Sequence, residues 1–146
     1  MLTRNSPTTY YEEADGPAGL EYELVKMFAD ELGVELVLLI PGSFNDLLDK
    51  LSNGSAHLAA AGLTITDERK ERFLFGPDYQ EITQQLVYKI SHRRPRNLSQ
   101  LESGTLEVVA NSSHEERLEH LSSTIPNLNG KSSTEIDSEE LLQMVS

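Results

Sequence analysis

The feature that most constrains this chain is the alternation of two hydrophobic periods along its first ninety residues. Leu20, Leu24, Phe28 and Leu32 recur every four positions, and Val25 and Met27 widen the stripe. A stripe of that period is one face of an amphipathic helix, and Gly33 supplies the residue type that ends one. Val34 to Ile40 then reads as a strand, broken by Pro41-Gly42. Ser43, with Asp46 three residues on, is a short version of the capping box, and Phe44, Leu47, Leu48 and Leu51 form the apolar face behind it. Asn53-Gly54 closes that helix, His57 to Ala61 is a short strand of small residues, and Gly62 stands at its end. Thr66 is the next N-cap, with Asp67 and Glu68 in the first turn, where the helix dipole favours acids. Phe73-Leu74-Phe75 and Thr83 to Ile90 read as further strands. The series is β-α-β-α-β, which calls for a parallel sheet with right-handed crossovers.

The second half is less regular. His92-Arg93-Arg94-Pro95-Arg96-Asn97 is polar and contains the proline, so a linker is expected at 92–97, between a first lobe over 1–91 and a partial second lobe over 98–146. Asn97 caps a short helix through Leu101, Leu106 to Ala110 is a strand, and Ser113-His114-Glu115-Glu116 is a capping box for a helix with Leu118 and Leu121 inward. Asn127 to Thr134 is irregular or a weak strand. Asp137-Ser138-Glu139-Glu140 caps a last helix, which reaches the chain end where an α/β unit calls for another strand. The second lobe is therefore expected to be incomplete.

Composition excludes several functions. The 146 residues carry 24 acids against 12 lysines and arginines, a net charge of −12. Nucleic acid is not expected as a partner, because phosphate binding needs clustered cations and the one basic cluster, at 92–96, reads as a solvated linker. There are no cysteines, which removes disulfides, thiol catalysis and thiolate metal sites. His57, His92, His114 and His120 lack metal-ligand spacing, so neither a metal nor another cofactor is expected. No apolar run is long enough for a membrane span, and Met1-Leu2-Thr3-Arg4, followed at once by polar and turn residues, is not expected to open a signal peptide.

Gly19-Leu20-Glu21-Tyr22-Glu23-Leu24, Asn53-Gly54, the run from Ala61 to Arg69, and Phe75-Gly76-Pro77-Asp78-Tyr79 resemble the amino-acid-type periplasmic solute-binding proteins. The resemblance is good over roughly the first ninety residues and loose beyond. It implies a periplasmic-binding-protein-like α/β fold, with a parallel or mixed sheet flanked by helices and two lobes. Asn5 to Tyr10, Gln84 to Lys89 and Arg94-Pro95-Arg96 are more narrowly similar to the N-terminal domain of the membrane-bound lytic murein transglycosylase F family. That similarity implies a periplasmic, non-catalytic regulatory or sensing domain. Its partners would be a small amino-acid or muropeptide-like ligand and a catalytic domain elsewhere in the same parent chain, attached to the outer membrane. An amino-acid receptor of an ABC-type transporter is the alternative.

Open parallel sheets bind ligands beyond the carboxyl ends of their strands, which places Gly62 and Thr64 at such an end. Arg69, in the first turn of the following helix, can grip a carboxylate through two parallel hydrogen bonds, or simply pair with Asp67, Asp78 or another acid. In the resembled binding proteins the matching arginine holds the ligand α-carboxylate. Aromatic residues near Phe44 and Tyr10 stack on the ligand in that family. Phe44 can equally be the first core residue of its helix, and Tyr10 and Tyr11 are interchangeable at this level. Ser113 opens a helix and offers backbone N–H groups, or acts only as a cap. No catalytic residue is expected. Glu102-Ser103 matches the general-acid pair of lysozyme-like enzymes, but it precedes Gly104 in a polar segment with nothing apolar to raise a carboxyl pKa.

Overall fold

The computed structural model describes residues 1–134, 136 and 138–145. Packing divides the chain into two compact units, Met1–Pro77 and Asp78–Ser146. The linker expected at 92–97 lies inside the second unit. Residues 78–91 go with that unit partly because the Gln84 amide donates to the Ser113 carbonyl at 3.2 Å and reaches its hydroxyl at 3.3 Å.

The first unit is organised around Leu2. Leu2 bridges Leu39 on one side and Ala59 on the other, both in parallel. Four backbone hydrogen bonds fix this register: Leu2 N–H to the Leu58 carbonyl at 2.9 Å, Ala60 N–H to Leu2 at 2.9 Å, Thr3 N–H to Leu39 at 3.0 Å and Leu39 N–H to Met1 at 2.8 Å. The segments expected as strands at 34–40 and 57–61 are therefore neighbours of one central segment, Met1 to Thr3. They meet it only around Leu39 and Ala59 and do not form full ladders. The central segment itself was not visible in the sequence, because three residues are too few to display a period.

A short antiparallel hairpin follows, β1 (Tyr11–Glu13) with β2 (Gly16–Ala18). It leads to helix α1 (Leu20–Leu32), closed by Gly33 in a left-handed conformation. Gly19, at the head of α1, has φ of 129°, and a Cβ there would lie 2.4 Å from the Thr9 carbonyl oxygen. The close approach lets the loop carbonyls of Thr8 and Thr9 accept the N–H groups of Glu21 and Tyr22, at 3.4 and 3.1 Å. The loop thus satisfies helix donors that would otherwise have no partner. The apolar stripe of α1 does not face a core: Leu20, Leu24, Met27, Phe28 and Leu32 are all exposed, and Glu21 and Ala29 are the buried residues. The four-residue period correctly signalled a helix, but not which of its residues are buried.

Helix α2 (Phe44–Ser52) starts where expected, with the Ser43 hydroxyl accepting from the Asp46 N–H at 3.1 Å. Leu47 and Leu48 bury themselves with Leu2 and Ala61, and Phe44, Leu51, Ala56, Ala59, Leu63 and Phe73 close around them. Helix α3 (Asp67–Arg72) is capped by the Thr66 hydroxyl, which accepts from the Arg69 N–H at 3.3 Å.

In the second unit, 83–89 belongs to no ladder or helix among the described residues and 90 lies in a turn, and 73–75 in the first unit likewise joins no ladder. An extended segment becomes a strand only through a hydrogen-bonded neighbour, and apolar content alone does not provide one. Leu98–Ser103 forms a 3-10 helix without a side-chain cap from Asn97. Strands β3 (Thr105–Val109) and β4 (Asn129–Ser133) are parallel, with Thr105 opposite Asn129 and Val109 opposite Ser133. Helix α4 (Ser113–Thr124) connects them, and its Leu118 side chain occupies the space a Cβ on Gly130 would need. The capping box is shifted by one residue from the expected Ser113–Glu116. Ser112 is the cap, its hydroxyl accepting from the His114 and Glu115 N–H groups at 3.2 and 3.4 Å, while the Glu115 carboxylate reaches back to the Asn111 N–H. Helix α5 (Ser138–Val145) ends the described chain. The expected cap Asp137 lies outside the described residues. Among those residues, no helix is long and apolar enough to cross a membrane.

Candidate functional site

The carboxyl ends of the central segment and of 57–61 point to Arg4 and Gly62, and the site is built there. Gly62 has φ of +66°, a left-handed turn that glycine adopts without strain. Its N–H is received by both oxygens of the Glu21 carboxylate, at 3.0 and 2.9 Å. Glu21 is only 5% exposed, so its carboxylate is largely withdrawn from water, and its charge-assisted hydrogen bond to the Gly62 N–H fixes the turn. In the sequence Glu21 stands out only as part of the run Gly19-Leu20-Glu21-Tyr22-Glu23-Leu24. No periodic signal singles it out, because at about 100° per residue Glu21 falls within the arc of the leucine stripe itself.

Thr64 follows two residues after this point, and Arg69 lies in the first turn of α3. The Arg69 guanidinium donates from Nη1 to the Thr64 carbonyl at 3.1 Å and lies over the Phe44 ring, 5.5 Å from its centroid. Arg69 is 5% exposed, a rare state for a guanidinium and one that requires partners. Phe44 provides a cation–π face, worth roughly 0.5–2 kcal/mol depending on desolvation. It also packs against the Leu2–Leu47 core. Four of the six expected site residues, Gly62, Thr64, Arg69 and Phe44, are thus brought together in the first unit.

The other two are placed differently. Tyr10 is buried and its ring meets Tyr22 edge-on, 5.9 Å between centroids and 68° between planes. Its hydroxyl donates to the Glu12 carboxylate, which together with burial holds the phenol above its ordinary pKa. Tyr11, its alternative, is exposed on β1. Ser113 lies in the second unit at the first position of α4, one residue after the cap, and its hydroxyl and carbonyl face the Gln84 amide.

Three comparisons bear on what this arrangement belongs to. The profile of the bacterial extracellular solute-binding proteins, family 3, matches residues 1–95. Membrane-bound lytic murein transglycosylase F 1 of Alkalilimnicola ehrlichii is 45% identical over 99% of this chain, which covers 30% of that protein. The membrane-bound lytic murein transglycosylase F of Saccharophagus degradans is 39% identical over 99% of the chain, covering 29% of that protein. The chain thus spans about 30% of the length of these curated relatives. Among solved structures, an amino acid ABC transporter substrate-binding protein from Streptococcus pneumoniae bound to L-arginine matches with a TM-score of 0.81 at 28% identity, over 99% of this chain and 61% of that one. An ancestral arginine-binding protein bound to arginine matches with a TM-score of 0.80 at 24% identity, over 99% of this chain and 63% of that one. These likenesses bear out the periplasmic-binding-protein-like α/β fold. From its first residue to residue 95, the chain belongs to the bacterial extracellular solute-binding proteins, family 3.

Proposed function

We propose that this chain is the non-catalytic, ligand-sensing domain of a periplasmic lytic murein transglycosylase held at the outer membrane, and that its ligand is an amino acid or a muropeptide-like peptide. The observation that carries this reading is similarity along the whole chain, 39–45% identity over 99% of it, to proteins named membrane-bound lytic murein transglycosylase F. The first-unit rim supports the ligand half of the reading. A guanidinium has five N–H donors in a planar fork, so Arg69 can hold the Thr64 carbonyl and also present paired donors to a ligand carboxylate. The Thr64 hydroxyl would complete that contact, Gly62, lacking a Cβ, would let the ligand approach closely, and the Phe44 ring beneath Arg69 keeps the guanidinium oriented. Tyr10 in the first unit is a further proposed ligand contact, and Ser113, at the start of α4, is proposed separately as one in the second unit.

A sensing role requires that the ligand favour one conformation over another. Titrating the chain with L-amino acids and with a disaccharide–peptide fragment of peptidoglycan, followed by NMR, tests the binding. Shifts centred on Gly62, Thr64 and Arg69 that vanish in Arg69→Ala, with the remaining spectrum preserved, are expected. Unchanged shifts in Arg69→Ala would remove Arg69 from the site. Sensing is tested separately in the full-length parent: peptidoglycan turnover should change on adding the same ligand, and lose that response in Arg69→Ala. The second reading, a receptor for an ABC-type transporter, is favoured by the likeness to the Streptococcus pneumoniae substrate-binding protein. A parent protein that binds amino acids but does not turn over peptidoglycan would select it.

A further inference from the structure

Arg4 stands next to the rim. It follows the central segment directly, so it stands at the carboxyl end of the innermost parallel segment, beside Gly62 at the end of the neighbouring one. Its Nη2 lies 3.3 Å from where a Cβ on Gly62 would be. Its backbone is held in place: the buried Thr9 hydroxyl donates to the Arg4 carbonyl at 2.5 Å, and Ser6 and Thr9 share a hydroxyl contact of 2.9 Å. The side chain is exposed, and among the described residues no carboxylate or hydrogen-bond acceptor engages the guanidinium. Arg69 borders the same short stretch from its other end, at Thr64. Two guanidinium groups therefore bracket Gly62–Thr64, in a chain where acids outnumber lysines and arginines 24 to 12.

Resting on the ligand-binding reading above, we infer that Arg4 is a specificity-determining residue and that the ligand carries a second anionic group, as a dicarboxylic amino acid or acidic peptide does. Arg69 receives one carboxylate and Arg4 the other. A cationic side chain would place like charges beside Arg4, and a neutral one would leave its donors to water. The net charge of −12 repels an anionic ligand at long range, but over a Debye length of about 10 Å at 0.1 M salt that repulsion is screened. Contacts at the rim then decide the preference.

The test compares two near-isosteric probes, L-glutamate and L-glutamine, with L-arginine as the oppositely charged third, by NMR titration of the whole chain and of Arg4→Gln. L-glutamate is expected to shift the Gly62 and Thr64 amides with an affinity about tenfold above L-glutamine, the scale of one charge-assisted contact. In Arg4→Gln that advantage should disappear while L-glutamine binding stays as it was. L-glutamine binding as tightly as L-glutamate, or an unchanged ratio in Arg4→Gln, overturns the role of Arg4 and leaves the ligand site standing. L-arginine preferred over both has the same consequence. No shift at Gly62 or Thr64 with any of the three at millimolar concentration overturns both this inference and the amino-acid reading of the site.

Discussion

At the scale of single residues, two glycines and one acid set the rim. Gly19 and Gly62 both have positive φ, yet they fail differently on substitution. At Gly19 a Cβ meets backbone atoms of Thr9 and Tyr10 at 2.4 to 2.9 Å, which cannot yield without moving the loop. Gly19→Ala is expected to destabilise the chain by at least about 1–3 kcal/mol, the range for a residue forced into a sparsely populated conformation. Urea denaturation of the two proteins measures it, and an unchanged midpoint would mean the loop is not anchored as described. At Gly62 a Cβ meets only the end of Arg4 at 3.3 Å and a Thr9 methyl at 3.5 Å, so conformational strain dominates there. Glu21 is the third member. Replacing it with Ala removes the acceptor of the Gly62 N–H, and the loss is expected to be about 1.5–3 kcal/mol, the usual worth of a hydrogen bond to a charged group. Glu21→Gln keeps an acceptor and should recover part of that stability, which the same urea series reads. Much of this rim was legible from residue types and the family motif, since Gly62, Thr64, Arg69 and Phe44 come together. Arg4 and Glu21 escaped because their roles depend on which segment lies beside which, and a linear sequence does not display that.

At the scale of elements, helix starts were legible and burial was not. Ser43 and Thr66 cap the helices they were expected to cap, because a hydroxyl one residue before a helical run has a local partner waiting in the chain. The second-unit box slipped by one residue, since Ser112 and Ser113 are equally good caps and the reach of Glu115 to Asn111 decided between them. Packing against distant segments is a tertiary matter, and there the stripe of α1 misled. Where the apolar face is buried, as on α2, the consequence is large. Leu47 is 1% exposed in the Leu2–Ala61 cluster, so Leu47→Ala is expected to cost about 2–5 kcal/mol. The β3–β4 pair gives a pH-dependent prediction. The Lys131 ammonium at 2.7 Å, and then the Ser133 hydroxyl, hold the Glu107 carboxyl below its ordinary value of 4.5. A carboxyl depressed in the folded state contributes stability above its unfolded pKa, and that contribution is lost as pH falls through the folded one. Between about pH 5 and about pH 3 the wild type should therefore lose stability more steeply than Glu107→Gln. Parallel denaturation slopes for the two across that range would assign the contact no role.

At the scale of the whole chain, opposing surface properties meet. Leu20, Leu24, Met27, Phe28 and Leu32 present an apolar strip to solvent on α1. Contiguous exposed strips of this kind promote association, because joining them removes apolar area from water at roughly 25 cal/mol per Å². The net charge of −12 opposes association, since two copies approaching one another repel. Which force wins depends on ionic strength: the Debye length falls from about 30 Å at 0.01 M salt to about 3 Å at 1 M. In dilute salt, repulsion reaches across the distance at which two helices would begin to touch; in concentrated salt it does not, while the hydrophobic contribution remains. Sedimentation velocity is therefore expected to give a concentration-independent coefficient at low salt and one that rises with protein concentration near molar sodium chloride. Phe28→Glu places a carboxylate in the middle of the strip, far from Arg69 in the sequence and outside the rim, and should hold the coefficient constant at both salts. Association that is strongest at low salt would instead assign the contact to complementary charges and remove the α1 strip from the account.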